Sequence, residues 1–595
     1  MPAKPSLEPR KSTIRQTQKN GDIYVLERVI QYDPEKKYNR VLSTTLIGKI
    51  IKGEGPVVPT RPRKKSEAKV SNSKGLSPRL TASRSKVGMM DILDHVGKVS
   101  GIDDAIYANT DEGTAQKILS LARYLVASNG QTLPGIVTFQ LTHPLPYEDG
   151  INEDIIHDLL SRVGLDETLQ QNFFLSRCAG IHGKATLAYD STTISTYSEQ
   201  LPEARQGFNK DHDGHDTIKL LTLYSIETRQ PVAFTKQPGN LPDVTSIENA
   251  IQQLSALGMK KAEIVTDNGY YSQNNLAAML RAHFDFITLA KITIAWIHKK
   301  LKEHIDHGDF ETAASICNAD TTIHSTTDMM MQEFTYTRKY ASHKRDLEKG
   351  TEETFTRRIY LHLYFSDMRR VEQNNRMDQD LIDLKQKLEN GVAVEDLSEE
   401  AQDKVKKYFE LRHYGTKVTA VFREDEIKKA KQEHGYFALV SNYEKDPAEC
   451  LTTYRHREMV ESFFRAEKNQ ADCHRTRVWG TDTLRGRLFV QFVALCYYEY
   501  FAEQIRTVKA DLAKQPEDVK LSAEQLKMRN KLLVWLNNTP LYLVLQWFDT
   551  REEVKVSSKI QTKRWSEAIT ERDQLLLDGL CILERKIVSR KSVIS

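Results

Sequence analysis

Cysteine is sparse in this sequence. The six present (Cys178, Cys317, Cys450, Cys473, Cys496 and Cys581) are scattered and form no C-x-x-C pair. That excludes a zinc ribbon and a disulfide framework, and makes a reducing cytosol the expected compartment. Long apolar runs are missing too. No stretch of about 18 apolar residues is present to span a bilayer, and the opening MPAKPSLEPRKST lacks the apolar core of a signal peptide. Neither export nor a membrane partner is expected. Nor does one sign of charge dominate: the whole chain carries only +4, weak support by itself for a nucleic-acid partner.

What is present describes a large globular protein. With 595 residues, 39% of them hydrophobic and 28% charged, the chain can bury a sizeable core and is long enough for three or more structural units. Its charge is unevenly spread. Residues 1–90 hold roughly 20 Lys and Arg against about 7 Asp and Glu, a surplus of about 13 that leaves the remainder near −9. A polycationic segment on a nearly balanced body suits DNA-phosphate contact strengthened by counterion release; a solubilising tail is the alternative.

The patterning divides the chain. Residues 1–58 alternate β-branched and aromatic runs with charged turns, as in a small, basic β-containing unit. Residues 59–88, PTRPRKKSEAKVSNSKGLSPRLTASRSK and its flanks, read as a basic linker in which Arg61, Arg63, Lys64 and Lys65 are candidate DNA contacts. Helical spacing follows over 89–180, giving a helical unit assigned to DNA binding. Strand-like segments then end KATLAYDSTTIST, TIKLLTLYSIET and PVAFTKQPG, before a helix, the strand AEIVTD, a helix and the strand FDFITLAKI. These make the first part (181–292) of a mixed α/β core. Residues 293–434 read as an inserted domain with much charged helix, 435–500 as the second part of the core, with one helix over about 450–470, and 501–595 as mostly helical.

Two aspartates stand at the apparent ends of apolar strands, Asp190 in LAYDSTT and Asp267 in EIVTDNGYYS. Each alone reads more readily as a turn former or helix cap. Together with a third acid from a helix they form the oxygen-rich set that binds Mg²⁺. In YRHREMVESFFRAEK the residues Tyr454, Arg457, Glu461 and Lys468 fall within an arc of roughly 60° on a helix, with most of Met459, Val460, Phe463 and Phe464 on the far side. An acid flanked by two cations and a phenol is thus presented opposite an apolar face; a solvated, ion-paired face gives the same pattern.

The spacing Y-x2-R-x3-E-x6-K resembles, residue for residue, the signature of bacterial insertion-sequence transposases of the insertion-sequence-four family and its relatives. It comes with YDSTT, GFNKDH, QPGN, TDNGYYS and HRTRVWGTDTLRGRLFVQFVAL in the order that resemblance leads one to expect, over about 180–500. The resemblance implies an RNase H-like mixed-sheet catalytic core interrupted by an inserted domain, between helical N- and C-terminal regions. It implies a DDE triad of Asp190, Asp267 and Glu461 holding two Mg²⁺ ions, for which Mn²⁺ may substitute. Tyr454, Arg457 and Lys468 would grip phosphates of the element's end. The implied partners are double-stranded DNA, as terminal inverted repeats and target, and a second copy in a synaptic dimer, in the cytoplasm of a bacterium at the nucleoid. The alternatives are an RNase H-like nuclease that cuts without joining, and a catalytically silent, transposase-derived regulator.

Three further features carry bland readings. Trp296, early in the insertion, can stack on an unpaired base but reads more readily as a core residue. Asp211, His212, Asp213, His215 and Asp216 are nearly consecutive in KDHDGHD and form a polar turn rather than a metal site. Cys473 and His474 are taken as structural.

Overall fold

The computed structural model describes residues 9–18, 21–33, 38–59, 81–181, 185–207, 209, 214–259, 261–318, 322–338, 349–414, 417–470, 475–514, 521–557, 562–566 and 569–582. The chain separates into two compact units, 1–79 and 80–595.

In the first unit, strands β1 (Arg10–Thr17), β2 (Ile23–Asp33) and β3 (Tyr38–Ile50) form an antiparallel sheet in that order. Its small core includes Val25 and Ile50, while Val41, Leu42, Leu46 and Ile47 of β3 stay exposed. Buried Asp22 accepts hydrogen bonds from Lys49 Nζ and the Lys52 amide, each at 3.1 Å.

The second unit opens with β4 (Thr81–Lys86) and six helices: α1 (Gly88–Val99), α2 (Ile102–Tyr107), α3 (Glu112–Ala127), α4 (Ile136–Phe139), α5 (Glu153–Leu165) and α6 (Glu167–Ala179). Side chains of Asp111, Asn152 and Asp166 cap α3, α5 and α6, accepting from amides three residues on. Next come β5 (Ala185–Thr196), β6 (Asp216–Ser225), β7 (Gln230–Pro238), α7 (Ile247–Ala256), β8 (Ala262–Thr266), α8 (Gln273–Arg281) and β9 (Asp285–Ala290). The strands lie in the order β7-β6-β5-β8-β9, with β5, β8 and β9 parallel and β6 antiparallel to both its neighbours. This is the RNase H-like arrangement. Strand β8 is buried at every residue, which is why AEIVT does not alternate; its one charged residue, Glu263, is held by the hydroxyls of Tyr443 and Thr186.

The inserted stretch does not leave the sheet. After α9 (Ala295–His307) come β10 (Ile316–Asn318), β11 (Ile323–Thr337) and β12 (Glu352–Ser366). The sheet continues past β9 as β15 (Tyr436–Ser441), then β12, β11 and β10, giving nine strands among the described residues. Between β12 and β15, helices α10 (Asp367–Glu389), α11 (Glu399–Tyr408) and α12 (Glu424–Gln432) and the hairpin of β13 (Phe409–Tyr414) and β14 (Lys417–Phe422) enclose a small core of their own. That core is built on Leu381, Leu384, Leu388, Val405, Phe409, Ala420 and Ile427.

The helix expected over 450–470 is two: α13 (Pro447–Arg455) and α14 (Glu458–Gln470). Amides of Arg457, Met459 and Val460 bond carbonyls three residues back, tightening the chain at the junction. Next comes α15 (Thr481–Ala513), buried on nearly all sides over its first half, as a helix at the centre of a large core must be. It crosses α5 so closely that a Cβ on Gly486 would meet the Leu160 carbonyl oxygen at 1.9 Å. Helices α16 (Ala523–Asn538), α17 (Leu541–Trp547) and α18 (Glu571–Gly579) follow, but the C-terminal region is not wholly helical. Strand β16 (Glu552–Ser557) pairs with both β17 (Thr562–Ser566) and β4. Among the described residues, no helix is long and apolar enough to cross a membrane.

Candidate active site

Asp190 does not close its strand: β5 runs on to Thr196, and Asp190 lies opposite Thr222 of β6. The parallel pairing of β5 with β8, however, stops at Ala188 opposite Val265. Two residues further along each strand come Asp190 and Asp267, so both acids emerge where β8 ends. Asp267 begins the tight turn Asn268–Tyr270. Each aspartate is steadied by the amide that follows it, Ser191 N–H donating to Asp190 Oδ1 at 2.8 Å and Asn268 N–H to Asp267 Oδ1 at 2.7 Å.

The third acid arrives from α14, and one guanidinium ties the three together. Arg457, at the junction of α13 and α14, donates to Asp190 Oδ2 at 2.9 Å and to Glu461 Oε1 at 3.1 Å, and lies 3.9 Å from Asp267 Oδ2. Its side chain is 9% exposed and that of Asp190 13%, whereas Glu461 is 53% exposed. Burial works against the guanidinium charge, but Tyr454 and the three acids outweigh it and raise its pKa. Tyr454 reaches in from α13, donating to Asp267 Oδ1 at 3.3 Å with its ring 5.5 Å from the guanidinium carbon. Burial, then the charge of Asp267, pushes its phenol well above the usual range.

These groups face a cavity of about 400 Å³ that also reaches Arg465 and a fourth carboxylate, Asp243. Lys219, buried in β6, donates to Asp243 Oδ1 and to the Leu241 carbonyl, both at 2.7 Å. Ser191 Oγ donates to the same Asp243 oxygen at 3.0 Å. A chain of contacts thus runs from Lys219 through Asp243 and Ser191 to Asp190. Tyr270 closes the cavity from beneath; its phenol is raised by burial first and by Asp190 and Asp243 next.

Asp243 and Lys219 were absent from the sequence-based set. Asp243 reads locally as the start of a helix, but Lys219 leaves a signal, a lone cation in the apolar strand DTIKLLTLYS whose burial demands a partner. Lys468 lies on α14, with its side chain outside the described residues, and Arg61, Arg63, Lys64, Lys65, Asp211, His212, Asp213, Cys473 and His474 also lie outside them. His215 packs edge-on to Tyr197 at 4.2 Å, and Asp216 is the first residue of β6. Trp296 is half-buried on α9 against the main core.

Residues 181–361 match the family model of the transposase DDE domain. The chain carries a transposase DDE domain. As an enzyme it is of the DDE-type DNA transposase class; Asp190 and Asp267 lie inside the matched segment, and Glu461 lies beyond it. No curated protein matches the chain. Among solved structures, a piggyBac transposase in a synaptic complex with hairpin DNA is similar at 11% identity, over 84% of each chain, with a TM-score of 0.34. At that score the likeness decides nothing about the DDE domain or its partners.

The donor set of the cavity suits a hard divalent cation: carboxylates from β5, from the turn after β8 and from α14 face it, with no thiolate or imidazole among its lining residues. Among the described residues no three acidic, histidine or cysteine side chains are drawn into a ready-made metal cluster. Instead Arg457 sits between the acids and offsets their mutual repulsion.

Proposed function

We propose that this transposase binds the terminal inverted repeats of its own mobile element and cleaves and rejoins DNA strands at Asp190, Asp267 and Glu461. The observation that supports it is the convergence of these three acids, far apart in sequence, on the single guanidinium of Arg457. The three carboxylates would hold two Mg²⁺ ions, with Mn²⁺ as a substitute, which when bound activate an attacking hydroxyl and stabilise the leaving oxygen of an in-line displacement.

The chain's own groups do the rest. Ser191 and Asn268 amides fix the two aspartates, and Asp243, held by Lys219, fixes Ser191. Arg457 and Tyr454, with Lys468, hold the scissile strand, the cations offsetting charge that develops on the phosphate oxygens. In the first step water attacks phosphorus and the bond to the 3′-oxygen breaks, leaving a 3′-hydroxyl on the element and a 5′-phosphate on the flank. In the second that hydroxyl attacks a target phosphate and displaces the target's 3′-oxygen. The balance of bonds is conserved.

The Y-R-E-K spacing supports a place in the insertion-sequence-four group, and the need to join two ends supports a homodimer. Residues 89–180 and the basic linker with Arg61, Arg63, Lys64 and Lys65 would add DNA contacts, at the nucleoid of a bacterial cytoplasm.

The test is cleavage and joining of a labelled duplex bearing the element's end, with Mg²⁺ or with EDTA, by the wild type and Glu461→Gln. Metal-dependent nicking and joining are expected to vanish in the variant while end binding survives. Unchanged nicking by Glu461→Gln would refute the assigned site. Nicking without joining by the wild type would replace the transposase with a nuclease, and binding without either would indicate the silent regulator.

A further inference from the structure

Beyond the acids, α14 presents a second surface. Arg465, one turn after Glu461, is exposed and borders two cavities, the one that holds the acids and another of about 430 Å³ between α14 and α15. Its only hydrogen bond among the described residues is a long one of 3.4 Å to Ser462 on its own helix, and no carboxylate there lies within ion-pair distance. Two more guanidinium groups line the second cavity, Arg506 from α15 and Arg229 from the hairpin between β6 and β7.

Arg506 and Arg229 share one half-buried carboxylate. Glu503 bonds Arg506 and lies 3.8 Å from Arg229. The acid that lines the cavity itself, Glu499, is buried and accepts from the Tyr224 hydroxyl at 2.9 Å. Burial pushes its carboxyl up to about 7, which cuts its negative charge near neutrality. Arg229 holds a left-handed backbone, with φ at 52°, uncommon for a residue with a side chain and set here by the tight turn between β6 and β7. Met459, Tyr498 and Leu541 supply an apolar wall.

The two cavities meet at Arg465, so a strand running on from the scissile phosphate over it enters this cleft. Guanidinium forks match phosphate oxygens two at a time, and the apolar wall suits the sugar and base faces. We propose that the cleft between α14 and α15 holds the sugar-phosphate backbone of the DNA strand adjoining the scissile bond, Arg465 handing it from one cavity to the next and Arg506 and Arg229 gripping the following phosphates. This rests on the DNA-cleaving reading above and adds to it a path for the strand.

The test is binding of the element-end duplex across a range of NaCl by the full-length wild type, Arg506→Gln and Arg229→Asn, the asparagine being chosen because it tolerates a left-handed backbone. Each variant is expected to lower the slope of log K against log salt by about 0.9, one phosphate contact. Arg506→Lys keeps the charge and is expected to keep the slope, which separates a lost contact from a damaged fold. In parallel, methylphosphonates are placed one at a time beside the scissile bond. A neutral linkage that weakens wild-type binding is expected to have no further effect in Arg506→Gln. Wild-type slopes and wild-type methylphosphonate sensitivity in both variants would overturn the strand path while leaving the active site standing. A wild type that binds no DNA would overturn both.

Discussion

Arg457 occupies the position in which its removal should be most visible. It is the buried partner of Asp190 and the hinge between Tyr454 and Glu461, so Arg457→Ala takes this guanidinium away from a nearly buried carboxylate that stands among other acids. Breaking such a pair costs about 3 kcal/mol. The expected outcome is a loss of that order in EDTA, much of it recovered on adding Mg²⁺, read by chemical denaturation. An equal loss with and without Mg²⁺ would mean that the acids share no cation site. At this scale the sequence was partly legible. Asp190 and Asp267 stand out because a charged residue follows an apolar run, and Glu461 because its neighbours repeat at helical spacing. Asp243 was hidden because its meaning comes from Lys219 and Ser191, which reach it only when β5, β6 and the turn before α7 are folded together.

Among the elements, α15 carries two expectations. Glu499 has its carboxyl raised from 4.5 to about 7 by burial, so the folded protein binds a proton there that the unfolded chain releases. Its contribution to stability is full below about pH 4.5 and is lost as pH rises through about 7, a swing of about 3 kcal/mol. Glu499→Gln should flatten the dependence over pH 5 to 8 in urea unfolding; an unaltered profile would show that another group is responsible. Gly486→Ala forces a methyl against the Leu160 backbone and is expected to cost about 1 to 3 kcal/mol by overpacking, checked by the shift in denaturation midpoint. Most core strands were readable from alternation or from continuous apolar runs. Strand β11 was not, since IHSTTDMMMQEFTYT mixes methionine and polar residues and draws its stability from fifteen paired positions along β12. Strand β13 was absorbed into the charged helix before it, and the break between α13 and α14 leaves the apolar period intact and so leaves no trace in the sequence.

Over the whole molecule, what the sequence presents as an interruption proves to be an extension. Residues between the second and third acids supply β10, β11 and β12 to the sheet that carries the first two, and only the part from α10 to α12 builds a core apart. The distance in sequence from Asp267 to Glu461 is therefore divided between widening the platform and building that separate core, and β15 returns the chain beside β9 so that α13 and α14 can reach the acids. Periodicity reports the period of each strand but not its partners, which is why an insertion and an added sheet edge look alike in one dimension.

Across the pairing of β4 with β16 the Arg84 side chain bonds that of Glu552, 468 residues along the chain. At the usual pace of synthesis, about 5 to 20 residues per second, β4 spends on the order of a minute outside the ribosome before its partner strand has been made. During that interval it is an uncovered edge that any nearby strand can pair with, and its serine, arginine and lysine side chains are the means by which such an edge stays soluble while it waits.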